Sequence, residues 1–464
     1  MGGCPDRGRR GHSQCALRSA QPFRKRTYRS LRPMTASAPT EPAQSRSVLV
    51  IAYYFPPMGL SGVQRTLKFV KYLPQFGWEP TVLTVSPTGY FAEDNTLLDE
   101  VDRHRIAIER VGSLDANSFF RKKGVVKMPS ERWRKFLTYV SDMFFVPDNK
   151  LLWRKRAVKA AEALFKLKTF DVIFATAPPF TDFLIGVELQ RRWQRPLVLD
   201  YRDPWIEYPF KYYPTPLHRM MNSRLERRAL RAASKILTTN RRVKELILNR
   251  NKFLSYEDIV ILPQGYDPQD FRNGSAPAIP RGKMRITHAG VFYGDRTPKY
   301  FLAALRKVFN DRPELERRIE SRFIGNFHDE HRQLIASMKL GDSVVVTGYL
   351  DHPRCVEQLL ASDVLWMMLT NDRQSPGKLY EYLGARKPIL ACVPDGFIRQ
   401  TIAEARAGVA VDPDDVDGIA KAIVQFYEQY EQERLPKPKE DVVSKYNRVD
   451  LTKELSVIFG FLTE

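Results

Sequence analysis

The sequence predicts an α/β protein made of two successive Rossmann-like domains, each a parallel sheet wrapped in helices. Two observations predict this class. Strand-sized apolar runs alternate with helix-length segments from Ser47 onward, and a Gly/Ser/Ala/Pro stretch at Asn273 to Gly282 interrupts the alternation before it starts again. A chain of 464 residues with 43% hydrophobic content is long enough for two or three such cores.

The first 46 residues carry ten Lys/Arg against Asp6 and Glu41 and are rich in Gly, Ser, Pro and Gln, so 1–46 reads as a disordered basic leader. It has no apolar h-region and is no secretory signal, although its Arg-rich, acid-poor character superficially resembles an organelle transit peptide. Met34 offers an alternative start, after which the folded part begins almost at once.

The first domain is expected over 47–272. Val48–Tyr54 is an apolar strand, the loop Phe55-Pro56-Pro57-Met58-Gly59-Leu60-Ser61-Gly62 leads into a helix over Val63 to Phe76, and Pro80–Val85 completes a βαβ unit. Further strands are expected at Val172–Thr176, Pro196–Asp200, Lys235–Thr239 and Ile259–Leu262. Between Arg121 and Lys168 lie fourteen Lys/Arg against four acids, interleaved with Trp133, Phe136, Tyr139, Phe144, Phe145 and Trp153. Such a mixture suits an anionic membrane surface, and equally a pair of amphipathic helices whose aromatics face the core.

The linker 273–282 precedes a second domain over 283–440, with strands expected at Arg285–Ala289, Arg322–Ile324, Val344–Thr347, Val364–Met368, Pro388–Cys392 and Val409–Val411. The remaining 441–464 place Leu451, Leu455, Ile458 and Leu462 at helical spacing. No apolar run approaches the roughly 18 residues of a membrane-spanning helix. The four cysteines, Cys4, Cys15, Cys355 and Cys392, have neither CxxC nor metal-ligand spacing, and a reducing cytoplasm is the default.

A formal charge of +21 favours anionic partners. Nucleic acid is disfavoured, since no recognition helix, zinc finger or RNA-binding sheet motif is present and much of the charge sits in the leader. The loop after the first strand lacks GxGxxG, which argues against a dinucleotide oxidoreductase. The segment Ser375-Pro376-Gly377-Lys378-Leu379-Tyr380-Glu381-Tyr382 is more telling. With Ser375 as N-cap and Pro376 at the first helical position, Lys378 and Glu381 share a face of the opening turn. A helix start and Lys378 suit a diphosphate, and Glu381 can accept hydrogen bonds from two adjacent sugar hydroxyls. A solvated surface ion pair is the plainer reading of the same residues.

In order along the chain stand Tyr53-Tyr54-Phe55-Pro56-Pro57 with Gly59 and Gly62, Ala177-Pro178-Pro179, Leu199 to Trp205, Gln264-Gly265-Tyr266-Asp267, His288-Ala289-Gly290 through Arg296, Gly348-Tyr349, and the turn around Lys378 and Glu381. From Ser47 to the C-terminus the chain thereby resembles the retaining, two-domain glycosyltransferases of family 4, of bacterial cell-surface polysaccharide type. The resemblance implies the GT-B fold: two Rossmann-like domains facing a central cleft, the acceptor on the first and a nucleotide-sugar donor on the second, with the final helix crossing back to the first domain. It implies that Arg296 and Lys378 face the donor diphosphate and that Gly59, Gly62, Gly290, Ser375, Gly377, Leu379 and Glu381 help to bind the donor. Arg202 and Asp203 fall where relatives keep a histidine beside the reacting sugar, which makes them catalytic candidates with Arg296 and Lys378; Asp200 and His288 are weaker ones. Glu381 matches the second glutamate of the family's Glu-x7-Glu pair, whereas the first falls on Arg373.

The expected function is sugar transfer from a nucleotide-diphosphate-sugar donor to a lipid-linked or cell-surface polysaccharide acceptor. No cofactor and no metal are expected, because no Asp-x-Asp motif occupies a credible strand-end loop. The expected location is cytoplasmic, peripheral at the inner face of the cell membrane, with 121–168 meeting its anionic surface. A non-catalytic GT-B scaffold for polysaccharide assembly is the alternative that Arg373 raises; a basic nucleic-acid-binding protein is the lesser one.

Overall fold

The computed structural model describes residues 45–59, 61–87, 93–114, 131–209, 211–272 and 282–464. The leader up to residue 44, the start of the basic block at 121–130 and all but the last residue of the 273–282 linker lie outside them. Two parallel sheets organise the described residues. The first contains β1 (Arg46–Ile51), β2 (Trp78–Val85), β3 (Ala107–Val111), β4 (Val172–Ala177), β5 (Leu197–Tyr201), β6 (Lys235–Thr238) and β7 (Ile259–Ile261), in the order β3-β2-β1-β4-β5-β6-β7. The second contains β8 (Met284–Ala289), β9 (Ile319–Ile324), β10 (Val344–Gly348), β11 (Val364–Met368), β12 (Ile389–Cys392) and β13 (Gly408–Val411), in the order β10-β9-β8-β11-β12-β13.

Parallel strands need crossover connections, and here helices supply them on both faces, so the central strands are apolar throughout. Val48 and Val50 of β1 pack on one side of the first sheet, and Leu49 and Ile51 on the other. The second sheet is sandwiched in the same way. Of the first sheet's strands only β3 was not expected from the sequence. It is a partly buried edge strand whose segment Ala-Ile-Glu-Arg-Val carries two charges, so it lacks the apolar run that marks the others.

The chain's last helix, Arg448–Thr463, returns to the first sheet. Leu451, Leu455, Ile458 and Phe459 enter the core beside Val48, Phe69 and Phe174, and the Phe459 ring meets Trp78 edge-on at 5.2 Å. The Asn447 side chain accepts from the N–H of Val449 and caps the helix. The return explains the glycine of Gln264-Gly265-Tyr266-Asp267. A Cβ there would stand 2.5 Å from the Tyr446 carbonyl oxygen and 2.7 Å from Leu451 Cδ1.

The helix Ser61–Tyr72 places Arg65, Lys68 and Lys71 on one buried face, three residues apart. Arg65 donates to Asp200 at 2.8 Å and to the carbonyls of Leu262 and Pro263, while Thr176 donates to the same carboxylate. Lys68 pairs with Glu100 at 2.9 Å and with Asp270 at 3.0 Å, and Lys71 pairs with Asp267 at 2.6 Å. Tyr72 donates to the other oxygen of Asp267 at 2.6 Å. Asp200 is therefore occupied by Arg65 and Thr176 and belongs to the frame, not to the chemistry. Beyond the second sheet's β10, His352 Nε2 lies 2.9 Å from Asp270, and its backbone N–H donates to Asp94 at 2.8 Å.

Two outcomes follow from this packing. Gly265→Ala should cost about 1–3 kcal/mol by overpacking and release the terminal helix, seen as faster hydrogen exchange at 448–463; unchanged exchange there would refute the close approach. Burial works against the carboxylates of Asp267 and Asp270, yet Lys68 above all, with Lys71 at Asp267 and His352 at Asp270, holds both below the ordinary range. A depressed folded-state value contributes stability that is present above the unfolded carboxylate value of about 3.9 and lost as pH falls through the folded one. Denaturant midpoints should hold near neutrality and fall below about pH 4, with a shallower acid fall in Asp270→Asn.

Candidate active site

Each sheet reverses its strand order once, between β1 and β4 in the first and between β8 and β11 in the second. Connections leave such a point toward opposite faces, so a crevice opens beyond the carboxyl ends of the strands. The two crevices meet in one cavity of about 590 Å³, walled by loops that follow β1, β4, β5, β8, β9, β10 and β11. Its walls include Gly59, Gly62, Arg202, Asp203, Gly290, Arg296, Ser375, Gly377, Lys378 and Glu381. Residues more than 300 positions apart are thereby brought together.

The helix Gly377–Gly384 follows the loop after β11. Lys378 Nζ and Glu381 Oε2 share its first turn at 2.7 Å, with Cys355 Sγ 3.8 Å from the same ammonium. Burial opposes the Lys378 charge, but the Cys355 sulfur and the Glu381 carboxylate outweigh it and hold the pKa above the usual lysine range. The cap differs from expectation. Pro376 occupies the N-cap with no side-chain bond, because the Ser375 hydroxyl pairs instead with Tyr380 OH at 2.8 Å. Leu379 also differs: its side chain is wholly buried in the core beneath the helix, and its N–H donates to the Pro376 carbonyl. It seats the helix and lies away from the cavity.

Arg296, after β8, donates to Gln374 Oε1 at 2.8 Å and lies over the Tyr293 ring. Arg373 is exposed, with its carbonyl accepting from Asn240, and is not among the cavity's walls. The buried side chain of Gln374 takes the place facing Arg296, a role that spacing alone did not reveal. His288 stacks on Phe292, and its Nδ1 lies 3.0 Å from the Trp366 carbonyl, which requires an N–H there and leaves Nε2 as the acceptor. Burial lowers its pKa to about 3, helped by Arg296 and Lys378, so it is neutral at physiological pH.

Arg202 does not simply pair with Asp203. Its guanidinium donates to the carbonyls of Ala177, Pro178 and Gly62, pinning the loops after β1 and β4 at the first sheet's reversal point. It holds the site's shape. Asp203 stands half-buried in the wall. Burial raises its pKa, and Arg202 and Arg296 only partly offset that rise.

Contacts also cross the cavity's rim. Tyr349 donates to the Gly59 carbonyl at 3.2 Å, and a Cβ on Gly59 would lie 2.1 Å from the Tyr349 hydroxyl. On the other side Arg242 pairs with Asp372 at 3.0 Å. Within the wall, His352 faces Asp270 and Glu381; burial pulls its pKa down, but those carboxylates carry it above the ordinary value. Tyr349, His352, Asp94 and Cys355 were not singled out as site residues from the sequence, because their roles arise from contacts between distant segments. Among the described residues no three His, Cys, Asp or Glu side chains gather as for a metal ion.

The basic aromatic block divides. Trp153 is fully buried and the helix Arg154–Leu167 packs into the core, whereas the helix Glu131–Phe144 exposes Trp133, Phe136, Leu137 and, most of all, Phe144. Beside it the helix Pro216–Ala232 exposes Leu217, Met220 and Met221. Lys211 and the N–H of Tyr212 bind Asp142, and His218 Nε2 meets the Met143 carbonyl, which joins the two surfaces. Among the described residues no helix is long and apolar enough to cross a membrane.

Comparison with known proteins agrees with this architecture. Residues 61–265 match the family model for a glycosyl transferase 4-like domain, and residues 283–429 match that for glycosyl transferases group 1. Together the two spans take in well over half of the 464 residues. No curated protein matches the sequence. Among solved structures, sucrose-phosphate synthase from Thermosynechococcus elongatus is 14% identical with a TM-score of 0.61, covering 90% of this chain and 99% of that one. Anabaena HepE, in complex with UDP and glucose, is also 14% identical with a TM-score of 0.61, over 89% and 99% of the two chains. WaaG, a glycosyltransferase involved in lipopolysaccharide biosynthesis, is 13% identical with a TM-score of 0.57 over the same shares. These likenesses are of fold. The two domain matches, one on each sheet and its helices, carry the assignment: the chain belongs to the group 1 glycosyltransferases, enzymes of the GT-B fold.

Proposed function

We propose that the enzyme transfers a sugar from a nucleotide-diphosphate-sugar donor to a lipid-linked or cell-surface polysaccharide acceptor, with retention of anomeric configuration and without a metal ion. The observation that carries the donor reading is the convergence of Lys378, Glu381 and Arg296 on one cavity between the two sheets. Glu381 accepts the ribose hydroxyls. Lys378 and Arg296, with the N–H groups at the start of 377–384, face the diphosphate. Negative charge grows on the departing nucleoside diphosphate as the glycosidic bond breaks, so cations fixed in place beforehand stabilise the transition state more than the ground state. That arrangement takes over the task of a divalent ion. The UDP complex of HepE, a protein of similar fold, supports a nucleotide in this cavity.

At the sugar end, Asp203 orients the acceptor hydroxyl and Arg202 fixes the loops around it. Gln374 presents a neutral amide to the donor sugar, held by Arg296 and Asn371. The acceptor approaches along the exposed faces of 131–144 and 216–232, which rest on the inner surface of the cell membrane. Aromatic and methionine side chains enter the interface there, while Arg219 and Arg224 meet lipid phosphates. Arg373 in place of the family's first glutamate leaves a second reading, a non-catalytic scaffold that binds neither UDP- nor GDP-sugars measurably.

A thermal-shift and turnover pair separates these readings. UDP- or GDP-sugars should stabilise the wild type, and Lys378→Ala or Glu381→Ala should weaken binding by roughly tenfold or more. A wild type stabilised by neither UDP- nor GDP-sugars would leave the scaffold, and unchanged binding in both variants would sink the site. Replacing Trp133, Phe136 and Phe144 by Ser should abolish co-sedimentation with phosphatidylglycerol vesicles while leaving nucleotide binding intact; retained sedimentation would refute the membrane face.

A further inference from the structure

Beside the main cavity lies a second, much smaller one of about 60 Å³. Arg134, Tyr293, Arg296 and Gln374 line both, so the two adjoin through a common wall. The small cavity's own walls add Lys135 and Tyr212 from the first sheet's side and Asp295 from the second's. Three cations there oppose one carboxylate. The small cavity is far smaller than the main one and lined mostly by polar groups, which suits one compact anionic group.

From this juxtaposition we infer that the small cavity is a phosphoryl subsite, and that its occupant is a phosphate group carried by a lipid acceptor. The inference rests on the glycosyl-transfer reading above and names the acceptor's chemistry. Phosphate oxygens accept hydrogen bonds only, and charge-assisted bonds from guanidinium and ammonium groups are the strong ones. The donor's own diphosphate is met by Lys378, Arg296 and the start of 377–384, and of these only Arg296 also lines the small cavity. Arg134 and Lys135 instead come from the helix 131–144, whose neighbouring side chains Trp133, Phe136 and Leu137 are exposed apolar groups. An amphiphile whose phosphate sat between Lys135 and Arg296 would thus find an apolar surface on one side and the sugar-transfer cavity on the other. Arg296 stands at the shared wall, where it can feel both anions.

The probes are farnesyl phosphate, farnesol, inorganic phosphate, UDP, and phosphatidylcholine vesicles with and without phosphatidylglycerol. The variants are Lys135→Gln and Tyr212→Phe, both of which line only the small cavity. Lys135 is exposed, so its replacement should leave the fold and the melting temperature unchanged. Farnesyl phosphate should bind the wild type, with inorganic phosphate competing, and should lose about tenfold in affinity to Lys135→Gln and a few-fold to Tyr212→Phe. Farnesol and UDP should bind wild type and variants alike. Three results would overturn the subsite: no loss for farnesyl phosphate, an equal loss for UDP, which would make the cavity part of the donor site, or a loss confined to phosphatidylglycerol vesicles, which would make it a headgroup contact. Failure of the glycosyl-transfer reading is visible separately, as a wild type that binds no UDP.

Discussion

The buried cations of the helix 61–72 are the constraint on which the rest depends. Taking Arg65, Lys68 and Lys71 out of water is tolerable only because each meets a carboxylate and further oxygens at hydrogen-bond distance. Their partners come from separate parts of the chain: Asp200 at the end of β5, Glu100 from the helix 95–103, and Asp267 and Asp270 from the segment that leaves the first sheet. Removing one partner of such a pair typically costs about 3–5 kcal/mol, a large share of a domain's stability. The helix thus fixes the first sheet's strand ends and, through Asp270 and His352, the approach of the second. Where the two sheets face each other is where the cavity lies.

Electrostatics inside that cavity follow from the same frame. Glu381 sees Lys378 on its own helix and His352 across the wall, while His352 answers to Asp270 in the buried network. Glu381, the residue proposed to meet ribose, is therefore linked, through a single imidazole, to the ion pairs that hold the sheets together. His288 is the contrast, kept neutral by burial and by the cations it faces. A neutral ring beside two cations presents a lone pair without adding a third positive charge.

Much of this was legible in the sequence. Strands buried on both faces print continuous apolar runs, so the two sheets could be read off, and Lys378 and Glu381 fell on one helical turn because a three-residue spacing leaves little choice. What escaped was set by tertiary partners. The strand β3 is half-exposed and charged; Ser375 chose Tyr380 over the helix end; Asp200 looked chemical but was claimed by Arg65, which is 135 residues away in sequence. The basic aromatic block was ambiguous for the same reason. Trp153 and Phe144 are alike in composition, and only the packing of neighbouring helices buries one and exposes the other.

The returning terminal helix has a mechanical side. The chain passes from the first sheet to the second after Tyr266, and comes back through Glu440–Asn447, where Tyr266 and Asn447 bridge as neighbouring backbones. Two bodies tied by one flexible segment can swing and twist in any direction. Tied also where a returning segment pairs with the outgoing one, as Asn447 does with Tyr266, they keep rotation about that line and lose most of the twist, as a door does on its pins. Any motion of one sheet against the other is thereby steered toward one principal axis that passes through the bridge.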